Sequence, residues 1–211
     1  LPYSDRESVE IILRENRDEI AGVFYDARPG IIEVSGEFTR FIRDITKELG
    51  IPMVMDEVVS FRSGPGGAQG LFGIEPDITM FGKAFGGGFP IGAVMATKRS
   101  AAGMGPGTHG CTFGGNPIAA ACANAVLDVL LTEGFLDQVS VSGHQLRDAV
   151  DEVAADFPSI LPTVRSKGLM IGMKCGPSNI ELVDELRRQK VLTVPAGDNV
   201  VRFLPPLNIE N

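Results

Sequence analysis

The sequence predicts an α/β fold: a mostly parallel sheet with helices, followed by a smaller α+β segment. Three observations carry this expectation. Short apolar runs alternate with amphipathic helical stripes over residues 5–156. Two of those runs lead into ionisable residues, Asp56 and Lys83, where the carboxyl ends of strands in such sheets face a ligand crevice. From about residue 157 the alternation gives way to a strand–helix–strand–strand order.

Taken in order, DRESVEIILRENR (5–17) puts Val9, Ile12 and Leu13 on one stripe, with Asp5 and Glu7 near a helix start that favours acids. IAGVFYD (20–26) reads as a strand. EFTRFIRDITKELG (37–50) is a second amphipathic helix stopping at Gly50, a residue suited to a left-handed C-cap. PMVMDE (52–57) is a short buried strand ending in two acids, and DITMFG (77–82) and GAVMAT (92–97) are the third and fourth strands. Asn116 and Pro117 suit the cap and first turn of an apolar helix running to about Leu131. A further helix covers roughly 135–156, and a domain boundary is expected at Phe157–Pro162. Beyond it come VRSKGLMIGMKC, ELVDELRRQK, VLTVPAG and NVVRFLPPL.

Composition narrows the function classes. The 211 residues, 44% hydrophobic and 22% charged, suffice for one large domain or one and a half. A net charge of −8 without a Lys/Arg cluster argues against nucleic acid as the partner. The apolar run PIAAACANAVLDVLL is interrupted by Asp128, so no membrane span is expected. Cys111, Cys122 and Cys175 are few, odd in number and far apart, which fits free thiols in a reducing cytoplasm and neither a disulfide framework nor a zinc site. A mean hydropathy of +0.12 suggests surface covered by another subunit. The chain opens on Leu1 with no signal-peptide pattern, and both ends have the look of cuts.

Among motifs, the lysine in FGKAFGGGFPIG (81–92) asks for a reason. A P-loop is excluded, because Asp77 stands at its first glycine and Ala84 where Ser or Thr is needed. A dinucleotide fingerprint at Gly64–Gly70 fails at Gln69. Asp56 alone reads more readily as a cap or ion-pair carboxylate, and Lys83 alone more readily as a solvated loop lysine. Together, an acid and an amine at separate strand ends form the pair a pyridoxal phosphate site uses, the amine for the Schiff base and the acid for the pyridine nitrogen. Thr112, in CTFGGNP ahead of a capped helix, suits a phosphate, although a plain glycine turn explains it too. Arg202 interrupts an apolar strand, where a protein or a substrate carboxylate fits its fork.

Four segments in sequence, DEVVSFR (56–62), PDITMFGKAFGGGFPIGA (76–93), THGCTFGGNP (108–117) and NVVRFLPPL (199–207), together resemble the class III pyridoxal phosphate-dependent aminotransferases of fold type I. The likeness covers essentially the whole chain. LPYSDRESVEIILRENRDEIAGV and MDEVVSFRSGPGGAQGLFGIEPDIT are similar to glutamate-1-semialdehyde aminomutases; GTHGCTFGGNPIAAACANAVLDVLL and the stretch from KGLMIGMKC to NVVRFLPPL are similar to acetylornithine aminotransferases. A hybrid sequence and an unusual natural member are both open.

The resemblance implies an incomplete cofactor-binding large domain over 1–157, part of the small C-terminal domain over 158–211, and pyridoxal 5'-phosphate as cofactor. It implies amino-acid and 2-oxo-acid substrates and a cytoplasmic homodimer. By position, Lys83 is the implied Schiff-base lysine, Asp56 the partner of the pyridine nitrogen, and Val58 the residue packed on the ring. Thr112 is implied to reach the phosphate of the neighbouring subunit's cofactor and Arg202 to hold the substrate α-carboxylate. Cys111 stands where acetylornithine enzymes place a small hydroxyl residue near the substrate. Val59 stands where many members have a glutamine beside the ring hydroxyl, and a valine there agrees instead with the aminomutase branch. FYDARPGIIEVSGEF (24–38) is shorter than the family's loop, Asp26 replaces a usual glutamate, and the family's N-terminal portion is absent, so weak cofactor affinity is expected. The implied activity is amino transfer from an ω-amino donor such as acetylornithine to 2-oxoglutarate. The aminomutase reaction and a catalytically silent α/β scaffold are the alternatives.

Overall fold

The computed structural model describes residues 1–2, 4–26 and 35–209; much of the shortened loop, residues 27–34, lies outside the described residues. What is described divides into two compact units between Thr132 and Glu133.

The first unit opens with α1 (Arg6–Glu15), whose N-cap Asp5 accepts from the Ser8 N–H at 3.0 Å. It continues through β1 (Val23–Asp26), α2 (Gly36–Leu49), β2 (Met53–Asp56), α3 (Gly67–Phe72) and β3 (Ile78–Phe81). It ends with β4 (Ala93–Ala96), the short α4 (Lys98–Ala101) and α5 (Pro117–Leu130). Gly50 does take the left-handed conformation that ends α2. The sheet order is β1-β2-β3-β4, with β1, β2 and β3 parallel and β4 antiparallel to β3. That reversal follows from a short connection: residues 82–92 hold one 3-10 turn and no crossover helix.

One face of this sheet is covered by helices. Val23 and Tyr25 of β1 and Met53 and Met55 of β2 pack with Val9 and Leu13 of α1 and with Phe38, Ile42 and Ile45 of α2. Each large aliphatic side chain buried there contributes about 1.5–3 kcal/mol. The intervening Phe24 points the other way and is 74% exposed, as strand alternation requires. In the core the Tyr25 hydroxyl meets Thr39 Oγ1 at 2.7 Å, so neither polar atom is orphaned.

The second unit joins α6 (Phe135–Asp156), β5 (Thr163–Lys167), β6 (Met170–Lys174), α7 (Asn179–Arg188), β7 (Val194–Ala196) and β8 (Val200–Phe203). Its sheet runs β5-β6-β8-β7, antiparallel throughout. Val150 of α6 packs with Ile171, Met173, Val183 and Val201 in one core. The unit therefore begins before α6, whereas the sequence suggests a break after it at Phe157–Pro162. The close fit of α6 is visible at Gly143, where an added Cβ would lie 2.7 Å from the Gly168 carbonyl carbon, between β5 and β6. The Asn179 side chain ties α7 to β7 and β8 through the carbonyls of Ala196 and Val200, each at 3.0 Å. Among the described residues, no single helix is long and apolar enough to cross a membrane.

Candidate active site

Asp56 is the last residue of β2, an inner strand, so its carboxylate emerges at the carboxyl end of the parallel strands. It is half-buried and pairs in register with Met80 of β3 on one side and Asp26 of β1 on the other. Asp56 Oδ1 accepts the Val58 N–H at 2.8 Å, closing a tight turn. Asp56 Oδ2 takes no hydrogen bond from the described residues, which leaves one acceptor open.

Lys83 follows the end of β3 by two residues and begins a 3-10 turn, Lys83–Gly86. Its φ of 50° is left-handed, a conformation that is strained for lysine and concentrates at functional sites. The side chain is exposed and has no partner among the described residues. Val58 links the two strand ends: its Cγ1 lies 3.3 Å from where a Cβ on Gly82 would sit, immediately before Lys83. Around the turn, the rings of Phe61, Phe81 and Phe85 pack together with centroids 5.8–6.3 Å apart. Such aromatic pairs add about 0.5–1.5 kcal/mol beyond burial.

The triple glycine has a reason within the chain at two of its positions. A Cβ on Gly86 would come within 2.7 Å of Ile91 Cγ2, and one on Gly87 within 3.0 Å of Val126 Cγ2 on α5. Only Gly88 borders open space.

Glu57 escaped the sequence reading, although it is the second acid of MDE. It is fully buried, and its carboxylate accepts the Ala68 N–H at 3.1 Å, the Gln69 N–H at 2.8 Å and the Ser60 hydroxyl. No local signal reveals those partners, because two of them lie 11 and 12 residues downstream.

Thr112 and Cys111 are both exposed, in the loop ahead of α5. The loop turns through a Gly114 N–H to Cys111 carbonyl bond of 3.1 Å. Asn116 caps α5 as expected, its Oδ1 accepting from the N–H groups of Ile118 and Ala119, so those two donors are already engaged. Arg202 belongs to the other unit. Its neighbours on β8, Val201 and Phe203, pack into the core, so Arg202 lies on the opposite sheet face, with Gly172 as its register partner. Its Nε is buried and takes no hydrogen-bond partner among the described residues. Asp56, Val58 and Lys83 are thus gathered at neighbouring strand ends, Thr112 and Cys111 lie on a surface loop, and Arg202 sits on a separate sheet.

A family model described as Aminotransferase class-III matches residues 3–211. This chain belongs to the class III aminotransferases. An acetylornithine aminotransferase of Bradyrhizobium diazoefficiens is 42% identical over 98% of the chain, and one of Brucella melitensis is 38% identical over the same share. The structure of acetylornithine aminotransferase from Elizabethkingia anophelis superposes with a TM-score of 0.91 at 28% identity, covering 100% of this chain and 55% of that one. Plasmodium falciparum ornithine δ-aminotransferase gives 0.91 at 27%, covering 100% of this chain and 57% of that one. This class III chain spans about half the length of the curated relatives it matches, 52% for the two named above. Its aminomutase-like and acetylornithine-like portions fall within one alignment to a single acetylornithine aminotransferase. Members of the family depend on pyridoxal 5'-phosphate, and a Toxoplasma gondii ornithine aminotransferase structure is described with partial occupancy of that cofactor at its active site. The residues of this chain fit the group: Asp56 Oδ2 is an open acceptor, the Lys83 amine is unengaged among the described residues, and Gly88 borders open space.

Proposed function

We propose that this chain carries the cofactor-binding part and a portion of the small domain of a transaminase. It would move an amino group from an ω-amino acid derivative of the acetylornithine kind to 2-oxoglutarate. The observation that carries the reading is the pairing of β2 with β3, which brings an open carboxylate oxygen of Asp56 and the strained Lys83 to adjacent strand ends. Pyridoxal 5'-phosphate, when bound, supplies an electron sink for the substrate carbon. Asp56 would accept a hydrogen bond from the pyridine nitrogen and hold its proton. The Lys83 amine would anchor the cofactor and then move the substrate proton. Val58 would contribute an apolar face, the Thr112 hydroxyl would reach the phosphate across a homodimer, and Cys111 would border the substrate. The buried Nε of Arg202, which has no partner among the described residues, supports a guanidinium that would hold the substrate carboxylate. A cytoplasmic setting belongs to the same proposal.

The test is incubation with pyridoxal 5'-phosphate followed by borohydride reduction. Labelling confined to Lys83 and lost in Lys83→Ala supports the reading. Label scattered over surface lysines supports a silent scaffold. Glutamate formed from acetylornithine and 2-oxoglutarate, measured against isomerisation of glutamate-1-semialdehyde, separates the transaminase from the aminomutase.

A further inference from the structure

We propose that Glu57 is a positioning residue that aims the Asp56 carboxylate; the inference rests on reading Asp56 as the partner of the cofactor nitrogen. Glu57 is the middle residue of the turn closed by the Val58 N–H on Asp56 Oδ1. It is held at both its main chain and its side chain. Its N–H donates to the Met80 carbonyl at 3.0 Å, tying the turn to β3. Its carboxylate binds the backbone of α3 at Ala68 and Gln69 and the Ser60 hydroxyl, tying the turn to the segment after it. Rotation of the Asp56–Val58 peptide units therefore requires breaking bonds to both elements.

The chemistry of the side chain strengthens the case. A carboxylate with no exposed surface is costly to bury, and no cation pairs with this one among the described residues. Among the described residues its compensation is three donors, which fix its direction. Space is matched to it as well: a Cβ on Gly67, which has φ +65°, would come within 2.9 Å of Glu57 Oε1. An apolar residue would fill the site at lower desolvation cost but would leave the amides of Ala68 and Gln69 unpaired and the turn free to rotate. What Glu57 adds is a fixed direction for Asp56.

The experiment compares the parent chain with Glu57→Gln, which keeps the side-chain shape but replaces one acceptor oxygen with a donor. Hydrogen exchange is read at individual amides of the cofactor-free protein, so the result does not depend on turnover. Exchange at Val58 is expected to accelerate about tenfold, while amides of α2 and of the β2 interior change little. Cofactor affinity should fall by about the same factor, with a shift in the pH dependence of the bound cofactor's absorbance. Unchanged Val58 protection, or acceleration spread equally over the whole unit, overturns the proposal. Should Glu57→Gln fail to fold, Ser60→Ala removes one bond of the three; a several-fold, local acceleration at Val58 supports the positioning role and no change overturns it. If the parent itself never labels at Lys83, the reading of Asp56 falls, while exchange at Val58 still decides whether Glu57 holds the turn.

Discussion

Asp77 Oδ2 accepts two hydrogen bonds at once, from the Arg43 guanidinium at 2.6 Å and from the Met53 N–H at 2.9 Å. One carboxylate just before β3 thereby clamps α2 and the first residue of β2, setting the strands whose far ends carry Asp56 and Lys83. Burial pushes its proton affinity up, but the Met53 and Arg43 hydrogen bonds and the charges of Arg43 and Arg99 outweigh it, so the carboxyl sits below its usual range. A lowered native value means that the unfolded chain binds the proton more tightly. The clamp therefore stabilises fully above about pH 4, the ordinary Asp range, and is lost as pH falls through the depressed native value. Asp77→Asn is expected to lose roughly 1–3 kcal/mol at neutral pH and to show a flatter acid limb in thermal melts between pH 2 and 6. A parallel acid limb in parent and variant would contradict this assignment.

Asp56→Asn separates charge from shape. The amide oxygen still accepts the Val58 N–H, so thermal stability should stay close to that of the parent. Loss of the carboxylate's charge-assisted bond should weaken pyridoxal 5'-phosphate binding roughly ten- to a hundredfold. Equilibrium titration followed by cofactor absorbance measures it.

For Arg202, the expectation is a change in substrate affinity. Arg202→Lys keeps the charge but loses the planar fork, so KM for a carboxylate substrate should rise on the order of tenfold with kcat less affected. An amine donor lacking a carboxylate should be indifferent to the change. Equal effects on both donors would remove Arg202 from the substrate site.

Gly143→Ala probes the second unit by itself. The new methyl would stand 2.7–3.0 Å from three backbone atoms of Gly168, and backbone, unlike the far end of a flexible side chain, cannot swing aside cheaply. Overpacking of this kind costs about 1–3 kcal/mol, and urea denaturation should show a lower midpoint with an unchanged slope.

Much of the element order was legible because its signals are local. The stripe Val9, Ile12, Leu13 marks α1, Gly50 marks the end of α2, and Asn116–Pro117 marks the start of α5; each depends on residues within one or two turns of itself. Asp56 and Lys83 could be singled out for the same reason, as polar residues closing apolar runs. The helix α3 lay hidden in a glycine-rich stretch, since its start is capped from a distance by Glu57 and no side chain of its own does so.

By itself, then, the sequence determined most of the longer helices and strands and which residues carry reactive groups, because periodicity and capping act over a few residues. Tertiary structure decided what those segments face. It turned β4 antiparallel against β3, assigned α6 to the sheet that follows it, and surrounded a buried Glu57 with donors from a later helix. The physical reason is one of range. Strand direction, helix docking and the satisfaction of a buried charge are settled by contacts between segments far apart in the chain, and no local pattern encodes them.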